Sequence, residues 1–306
     1  MLINNPPVKI TDDLMMLGSA EYPLYLLRGH TIVEGGVGSM APLLGEQLDS
    51  LSIPRDAIRQ AVVMHGHPDH VMALPAFREM FPGIRFLASE LAAATLQNEK
   101  AVGFFRQIDD TLTASLTKAG TIAERHHPKP LAENKIAVDA TLKEGDTLDI
   151  DGAAFAVLQT PGHSDCSLSL HQPESGLLLI SDVSGYYMPS HDCWWANYFS
   201  GYAAYMNSMR RLAQLDAEVL CLGHLAVIRG AEAVRTYFDR AIAATEQCHQ
   251  QIVAETKAGK SGREIAAHIG AEVYEKTQLM PLEFMQKNSS LLVKQSLKHE
   301  GIEPKP

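Results

Sequence analysis

Four side chains that can bind a metal ion lie within six positions of the chain. They follow the apolar run "AVVM" in the stretch "AVVMHGHPDHV", and are His65, His67, Asp69 and His70. Residues two apart in extended backbone project to the same side, and Pro68 keeps the residue before it out of helical geometry. A loop at the end of a strand can therefore aim all four side chains into one volume. Neutral imidazole and carboxylate are ligands for zinc, iron and manganese, so this spacing indicates a metal site.

Three further candidate ligands each follow an apolar run elsewhere in the chain. They are His163 in "LQTPGHSD", Asp182 in "LLLISD" and His224 in "VLCLGH". We expect each of them at the end of another strand, beside the first four. Seven ligands with open positions for water are about what two metal ions need, and a pair of ions about 3.5–4 Å apart can stabilise both the attacking oxygen and the developing oxyanion. The sequence therefore predicts a dinuclear metal site.

The elements that must position these ligands alternate between strands and helices. Short apolar runs such as "QAVVM" and "GLLLISD" predict buried strands, and the stretches "DGAA" and "PESG" predict hairpin turns. Residues 89–125 are predicted to be mainly helical, with Ser89 as the cap. Helices are predicted again from about Ala231, where Ser261 and Glu264 offer a capping box. This pattern indicates an α/β fold built in layers.

The composition of the 306 residues limits the class of protein. Hydrophobic residues make up 46% of the chain, enough for a sizeable core, and the formal net charge is -10. That charge argues against nucleic acid as a partner, because phosphate neutralisation needs clustered Lys and Arg. No stretch approaches the ~18–20 consecutive apolar residues of a membrane span, and no secretory signal pattern is present. The four cysteines form no CxxC pair, so we expect a cytoplasmic protein without a disulfide framework and without a membrane partner.

Together these motifs resemble those of the metallo-β-lactamase-fold superfamily of metal-dependent hydrolases. The family motif HxHxDH is "HGHPDH" here, and "TPGHS", "ISD" and "GH" follow in the family's order and spacing. The resemblance implies an αββα four-layer sandwich with the metals at one edge. It also implies a ligand set in which the first metal is bound by His65, His67 and His163, the second by Asp69, His70 and His224, and both are bridged by Asp182.

Within this superfamily the chain is most similar to the PqsE-like branch of quinolone-signal response proteins and thioesterases. The similarity covers nearly the whole chain and includes the segments "NEKAVGFFRQ", "GHLAVIRG" and "LMPLEFMQKNSSLLVKQSL". It implies a catalytic domain over residues 1–230, with a helical insertion at about 89–125, and a C-terminal helical cap over residues 231–306. We expect the cap to cover the metal edge, which would exclude long polymers and admit a small acyl compound.

The hypothesis for the chemistry is hydrolysis of a thioester or ester. A metal ion lowers the pKa of bound water from about 15.7 to about 7, and the resulting hydroxide would attack the carbonyl of a small acyl substrate. Asp69 would orient that hydroxide or pass a proton to the leaving group. The cofactors would be two divalent ions, for which zinc, iron and manganese are all suitable.

The sequence is also compatible with other functions. The same metal pair could serve a phosphodiesterase or a lactonase, and the chain could be a regulatory protein with a secondary metal site. Antibiotic hydrolysis is disfavoured by Asp182, because the resemblance implies that β-lactamases of this fold lack its bridging carboxylate.

Substrate selection is assigned to the segment between the last two predicted ligands. Eight of the chain's twenty aromatic residues lie within residues 186–205. They could wall an apolar pocket, with a tyrosine hydroxyl available to a carbonyl oxygen. The predicted substrate-binding residues are Tyr186, Tyr187, Trp194, Trp195 and His191. The alternative is that this segment packs under the C-terminal helices or forms a homodimer surface.

Two smaller expectations concern single residues outside the ligand set. Glu34 lies where the family commonly has an aspartate after an early strand, so it is a candidate partner for a metal-bound histidine. His126 and His127 lie in a proline-containing loop and are expected to be exposed.

Overall fold

The structure is a computed structural model that describes residues 1–303. It has the predicted αββα sandwich. Its strands are, in chain order, β1 (Leu2–Ile3), β2 (Val8–Thr11), β3 (Leu14–Gly18), β4 (Pro23–Leu27), β5 (Thr31–Val33), β6 (Gln60–Val62), β7 (Arg85–Ser89), β8 (Ala140–Leu142), β9 (Thr147–Ile150), β10 (Ala153–Gln159), β11 (Leu168–Gln172), β12 (Leu177–Ser181), β13 (Tyr186–Met188), β14 (Cys193–Trp195), β15 (Val219–Leu222) and β16 (Val227–Arg229). The helices are α1 (Met40–Ser50), α2 (Leu74–Met80), α3 (Glu90–Leu96), α4 (Glu99–Ala119), α5 (Tyr202–Leu212), α6 (Ala231–Lys257), α7 (Gly262–Thr277) and α8 (Leu282–Glu300).

Two mixed sheets face each other. The first has the strand order β2-β3-β4-β5-β6-β7-β8, antiparallel up to β5 and parallel from β5 onward. The second has the order β1-β16-β15-β12-β11-β10-β9, in which only the β12–β15 pair is parallel among the described strands. Strands β13 and β14 form a separate hairpin. The predicted turns "DGAA" and "PESG" connect β9 to β10 and β11 to β12.

Alternation along the strands divides the core into layers. In the stretch after β5, Val62 belongs to the core between the two sheets, whereas its neighbours Ala61 and Val63 face the helices. Successive side chains of a strand point to opposite faces, so a strand buried on both faces needs an unbroken apolar run. This requirement explains why "AVVM" is entirely apolar and why it ends abruptly in polar residues at the sheet edge.

The predicted helix signals are present in the structure. The Ser89 hydroxyl accepts a hydrogen bond from the Ala92 amide and caps α3, and Ser261 with Glu264 forms the capping box of α7. Helices α3 and α4 lie within the predicted helical stretch, and α6 begins at Ala231. The division of the chain into a catalytic domain and a separate helical cap stays a prediction. Within residues 1–303, no helix is both long enough and apolar enough to cross a bilayer.

The expectation that His126 is exposed is wrong. His126 is buried rather than solvated, since its Nε2 lies 3.1 Å from a carboxylate oxygen of Glu46 on α1, and its Nδ1 accepts a hydrogen bond from the Ala123 amide. The loop folds back on α1, a contact between distant segments that loop composition does not indicate. His127 is exposed, as expected.

Candidate metal centre

All seven predicted ligands lie together at one end of the sandwich. The histidine-rich motif follows β6, His163 follows β10, Asp182 directly follows β12, and His224 lies two residues after β15. In the motif, His67 is extended at φ -88° and ψ 154°, and Pro68 opens one 3-10 turn that ends at His70. The proline therefore changes the direction of the chain between the second and third ligand, as its restricted geometry predicts.

The ligands form two groups of three. The first triad is His65, His67 and His163, and the second triad is Asp69, His70 and His224. Within each triad, the candidate ligand atoms lie within 4.8 Å of one another. The two groups are the same as the two ligand sets that the resemblance implies.

Asp182 lies between the two triads. Its Oδ2 is 3.4 Å from Nε2 of His163, in the first triad. Its Oδ1 is 3.2 Å from Nε2 of His224 and 3.6 Å from Nε2 of His70, both in the second triad. Each carboxylate oxygen thus faces a different triad, which is the arrangement that a bridging ligand requires.

The donor atoms fit divalent metal ions in spacing and in hydrogen bonding. Two ligands of one tetrahedral ion with bonds of about 2.0–2.1 Å lie about 3.3 Å apart. Asp69 Oδ2 lies 3.5 Å from Nε2 of His70 and 3.6 Å from Nε2 of His224, close to this spacing. The Nε2 atoms of His65 and His70 and Oδ1 of Asp182 are buried without a hydrogen-bond partner among the described residues. Buried polar atoms without partners are costly, and a shared metal ion would satisfy them.

The other ring nitrogen of four ligands is held by a partner behind the site. The Nδ1 atoms of His65, His70, His163 and His224 lie respectively 3.1 Å from Ser181 Oγ, 2.9 Å from Glu34 Oε2, 3.0 Å from the Asn197 carbonyl and 2.6 Å from the Glu21 carbonyl. A proton held on Nδ1 leaves the Nε2 lone pair directed at the site. Glu34 therefore occupies the supporting position expected for it.

The electrostatics of the two triads differ. Burial lowers the pKa of all three histidines of the first triad. The pKa of His67 falls to about 3, because the neighbouring His163 adds to the effect of burial. These imidazoles are therefore neutral near pH 7, the form that binds metal.

In the second triad, carboxylates outweigh desolvation. Burial lowers the pKa of His70, but Glu34, Asp69 and Asp182 raise it by more, so it lies well above the ordinary value. Burial also lowers the pKa of His224, and Asp182 is the main group that raises it above its ordinary value. Burial raises the pKa of Asp69, and the imidazoles of His70 and His224 lower it by more, so the group is a carboxylate near neutral pH.

Position 223 requires glycine, because the backbone there lies very close to Asp182. Gly223 lies directly before the last ligand, and a Cβ atom there would collide with Oδ1 of Asp182. The Gly223 amide also donates a hydrogen bond to the carbonyl of Ser181, at 3.0 Å. Glycine at this position therefore allows the ends of β12 and β15 to come together at the site.

The aromatic segment reaches both triads. The ring of Tyr186 lies 4.9 Å from that of His224, and the ring of Phe199 lies 5.3 Å from that of His163, measured between centroids. Trp195 contacts Phe199 with centroids 5.8 Å apart. Tyr186 and Trp195, two of the predicted substrate-binding residues, are therefore close to the candidate metal centre.

The structure does not bring the other predicted substrate-binding residues to the ligands. Tyr187 and Trp194 lie on the opposite face of the β13–β14 hairpin, where both rings contact Tyr237 of α6. His191 is exposed at the tip of that hairpin. Adjacent residues of a strand point to opposite sides, so a run of aromatic residues on one strand cannot line a single pocket. A role in substrate binding stays a prediction for all five residues.

The C-terminal helices meet the metal edge through this same segment. The Gln295 side chain on α8 donates a hydrogen bond to the Phe199 carbonyl at 2.9 Å, and the hydroxyls of Tyr198 and Ser296 lie 2.8 Å apart. The aromatic segment thus lies partly beside the ligands and partly against the C-terminal helices. Tyr186 and Phe199 lie beside the ligands, whereas Tyr198 and Tyr202 pack against the helices.

Several residues near the ligands were not singled out from the sequence. Ser181 precedes a predicted ligand and Phe199 lies in the aromatic segment, so their positions carried some signal. Tyr22 carried none, yet its ring lies 5.6 Å from that of His224, and its buried hydroxyl has no hydrogen-bond partner among the described residues. The carbonyls of Glu21 and Asn197 act through the main chain, which any residue type supplies.

Comparison with known proteins gives a consistent result. Residues 24–224 match the family model of the Metallo-beta-lactamase superfamily. A probable metallo-hydrolase of Bacillus subtilis is 25% identical over 246 residues, which cover 75% of each chain. An acyl-coenzyme A thioesterase of Gallus gallus is 28% identical over 215 residues, which cover 68% of this chain and 70% of the relative.

A solved structure shares the fold. The metallo-beta-lactamase family protein of Thermus thermophilus superimposes with a TM-score of 0.63 at 21% sequence identity. The match covers 98% of this chain and 94% of that protein. At this identity, the likeness establishes the sandwich architecture alone.

Proposed function

Since this chain belongs to the metallo-beta-lactamase superfamily and is a hydrolase of that superfamily, we propose that it is a dinuclear enzyme that cleaves the thioester or ester bond of a small acyl substrate. The observation that carries the dinuclear part is the position of Asp182, whose two carboxylate oxygens face different triads at 3.2–3.6 Å. A site for a single ion would not need a carboxylate placed between two complete sets of three ligands.

The two triads would hold the ions, with Asp182 in contact with both. When bound, divalent ions of this kind act as Lewis acids that polarise a carbonyl and lower the pKa of water. The donors are imidazoles and carboxylates, and they suit zinc, iron or manganese. The partners at Nδ1 keep each supported ring oriented, so little reorganisation is needed on binding.

Asp69 is the proposed proton carrier. Its side chain is 24% exposed, whereas those of Asp182 and the second-triad histidines are at most 6% exposed. Its lowered pKa keeps it ionised near neutrality. Asp69 can therefore accept a proton from the attacking water at a carboxylate oxygen and return it to the leaving group.

The acyl group is proposed to lie between Tyr186 and Phe199. The ring of Tyr186 lies beside the second triad and that of Phe199 beside the first, and both present apolar surface next to the ligands. Support for a thioester comes from the thioesterase of Gallus gallus and from the resemblance to the PqsE-like branch. The small acyl compound is the partner that we propose for this site.

The test compares substrates on three preparations of the protein, each loaded with a different metal. Protein loaded separately with zinc, iron and manganese is assayed on acyl-coenzyme A thioesters, glutathione thioesters, homoserine lactones and bis-(p-nitrophenyl) phosphate. We expect the highest kcat/KM on a thioester, since specificity is expressed in that ratio. The metal content of each sample is measured alongside.

The outcomes separate the parts of the proposal. A higher kcat/KM on the phosphodiester or on the lactones would overturn the thioester assignment and leave the dinuclear site intact. One bound ion per chain at full activity would overturn the dinuclear site. No turnover on any carbonyl substrate by a fully loaded sample would contradict hydrolysis of acyl compounds.

A further inference from the structure

A second group of potential metal ligands lies in the C-terminal helices, away from the two triads. It consists of His249 on α6 with His299 and Glu300 in the last turn of α8. The candidate ligand atoms of these three residues lie within 4.8 Å of one another. We call this group the α6–α8 cluster.

The cluster is more than a surface ion pair. His249 is only 7% exposed, and its Nε2 lies 3.2 Å from Oε1 of Glu300. This distance is close to the separation of about 3.3 Å between two ligands of one tetrahedral zinc ion. The rings of His249 and His299 lie 5.5 Å apart at an angle of 72°, so they meet edge to face and not in a stack.

A neighbouring aromatic ring holds the cluster in place. Tyr202 of α5 stacks on His249 with ring centroids 3.9 Å apart and an angle of 16°, and it meets His299 edge-on at 4.9 Å. Both imidazoles are therefore packed against one rigid wall. A preorganised pair of imidazoles loses less conformational entropy on binding a ligand than two free surface histidines would.

The two ring nitrogens of His249 differ in their surroundings, and Nε2 is the one that faces Glu300. Its Nδ1 is buried and has no hydrogen-bond partner among the described residues. Burial lowers the pKa of His249 by more than Glu300 raises it, so the ring is neutral near pH 7 and keeps a lone pair available.

We propose that the α6–α8 cluster is a third metal site, which binds a transition-metal ion such as zinc through His249, His299 and Glu300. Two imidazoles and one carboxylate match the preferences of zinc, with a fourth position for water. A metal here joins α6 to the end of α8 and stabilises the helices that pack against the aromatic segment. It is a separate site, because its ligands come from different elements than the two triads.

The experiment counts zinc ions in the full-length protein and in matched variants. Each protein is equilibrated with micromolar zinc, separated from free metal and analysed for zinc per chain. The test variants are His299→Gln and Glu300→Gln, both at exposed positions. The control is His268→Gln, which alters an exposed helical histidine beside Glu272 that lies outside the cluster.

We expect the wild type and His268→Gln to bind one more zinc ion than either test variant. Loss of an outer partner of a metal ligand already weakens affinity by about 10–100-fold, so loss of a ligand should weaken the extra site by more than about 100-fold. Zinc should also raise the Tm of the wild type and of His268→Gln by more than that of His299→Gln, because the ion stabilises only the folded state.

Two results would overturn the third site. Equal zinc content in the wild type and His299→Gln would show that the cluster binds no ion under these conditions. An extra ion lost equally in His268→Gln would show unspecific binding to surface histidines. Both readouts are differences between variants, so they hold whether or not the triads bind two ions.

Discussion

The two triads at the strand ends differ in charge, although each contributes three side chains to one metal centre. The first triad is three imidazoles whose pKa values burial lowers, and its supports are a serine hydroxyl and a backbone carbonyl. The second triad includes Asp69, and Glu34 lies 2.9 Å from Nδ1 of His70. Without metal the first triad is neutral near pH 7, whereas in the second triad carboxylates outweigh burial and raise the pKa of both histidines.

This difference predicts that the metal affinities of the two triads depend differently on pH. The first triad offers lone pairs without displacing protons, so its affinity for metal should vary little with pH near neutrality. The raised pKa of both histidines of the second triad means that protons compete with a metal ion there, so its affinity should fall more steeply as pH decreases. Asp182 couples the two, because its oxygens face one triad each.

The largest expected effect comes from removing the charge of the carboxylate between the triads. Asp182→Asn keeps the size of the side chain but cannot neutralise two cations, so we expect the metal content of the two triads together to fall to one ion or fewer. Hydrolysis should fall by at least about 10³-fold, as for the loss of a principal electrostatic group. Metal analysis and kcat/KM measure both effects. Asp216→Asn, at an exposed position, is the control, and activity within about tenfold of the wild type would contradict the bridging role.

A smaller effect should separate the triads. Glu34→Gln keeps an acceptor at Nδ1 of His70 but removes the negative charge, so the second triad should lose about 10–100-fold in metal affinity. The first triad should be unchanged. Ser181→Ala removes a neutral partner of His65 and should weaken only the first triad, and by less. Competition with a chelator measures the metal affinity of each triad. Equal losses of affinity at both triads in Glu34→Gln would contradict the electrostatic difference between the triads.

The aromatic walls offer a test on the substrate side. Phe199→Leu removes ring contact next to the first triad, and we expect KM for an aromatic acyl thioester to rise about tenfold, since such contacts are worth about 1–3 kcal/mol. Tyr202→Phe, in the same segment but packed on α6, should leave KM unchanged. Steady-state kinetics on both variants decides the question. If both variants raise KM alike, the segment acts only through general packing.

The last expected effect concerns stability and not activity, and its origin lies beside the second triad. Burial is the main cause that raises the pKa of Asp109 on α4 to about 7, and Asp110 and Asp69 add to it. The hydrogen bond of 2.7 Å that Asp109 accepts from the Gly38 amide lowers the pKa, but by less. The folded protein therefore binds a proton that the unfolded chain has released above its ordinary pKa of 3.8. Stability should decrease as pH rises toward 7 and level off above it, by up to ~3 kcal/mol between pH 5 and 7.

Asp109→Asn keeps the acceptor for Gly38 and removes the titration. Urea unfolding of chelator-treated protein at several pH values should show the decline in the wild type and not in this variant. Parallel pH profiles for the two proteins would mean that Asp109 does not carry the effect.

The layers, the element types and the ligand motif could be predicted because each has a local cause. An unbroken apolar run such as "AVVM" suits a strand buried on both faces, and Pro68 turns the chain wherever it occurs. The buried His126 could not be predicted, because its burial depends on contact with α1, which lies far earlier in the chain. The separation of Tyr186 from Tyr187 requires knowing which face of the β13–β14 hairpin meets the ligands.

The amino-acid sequence by itself determined which side chains can bind metal and the order in which they occur. Histidine and aspartate directly after apolar runs are rare enough to be recognised without coordinates. Only the tertiary structure decided how Asp182 divides its oxygens between the triads, and which groups support each ring. Two of those supports, at Glu21 and Asn197, are main-chain carbonyls. Every residue has a carbonyl, so only the packing of distant segments determines which of them reach a histidine.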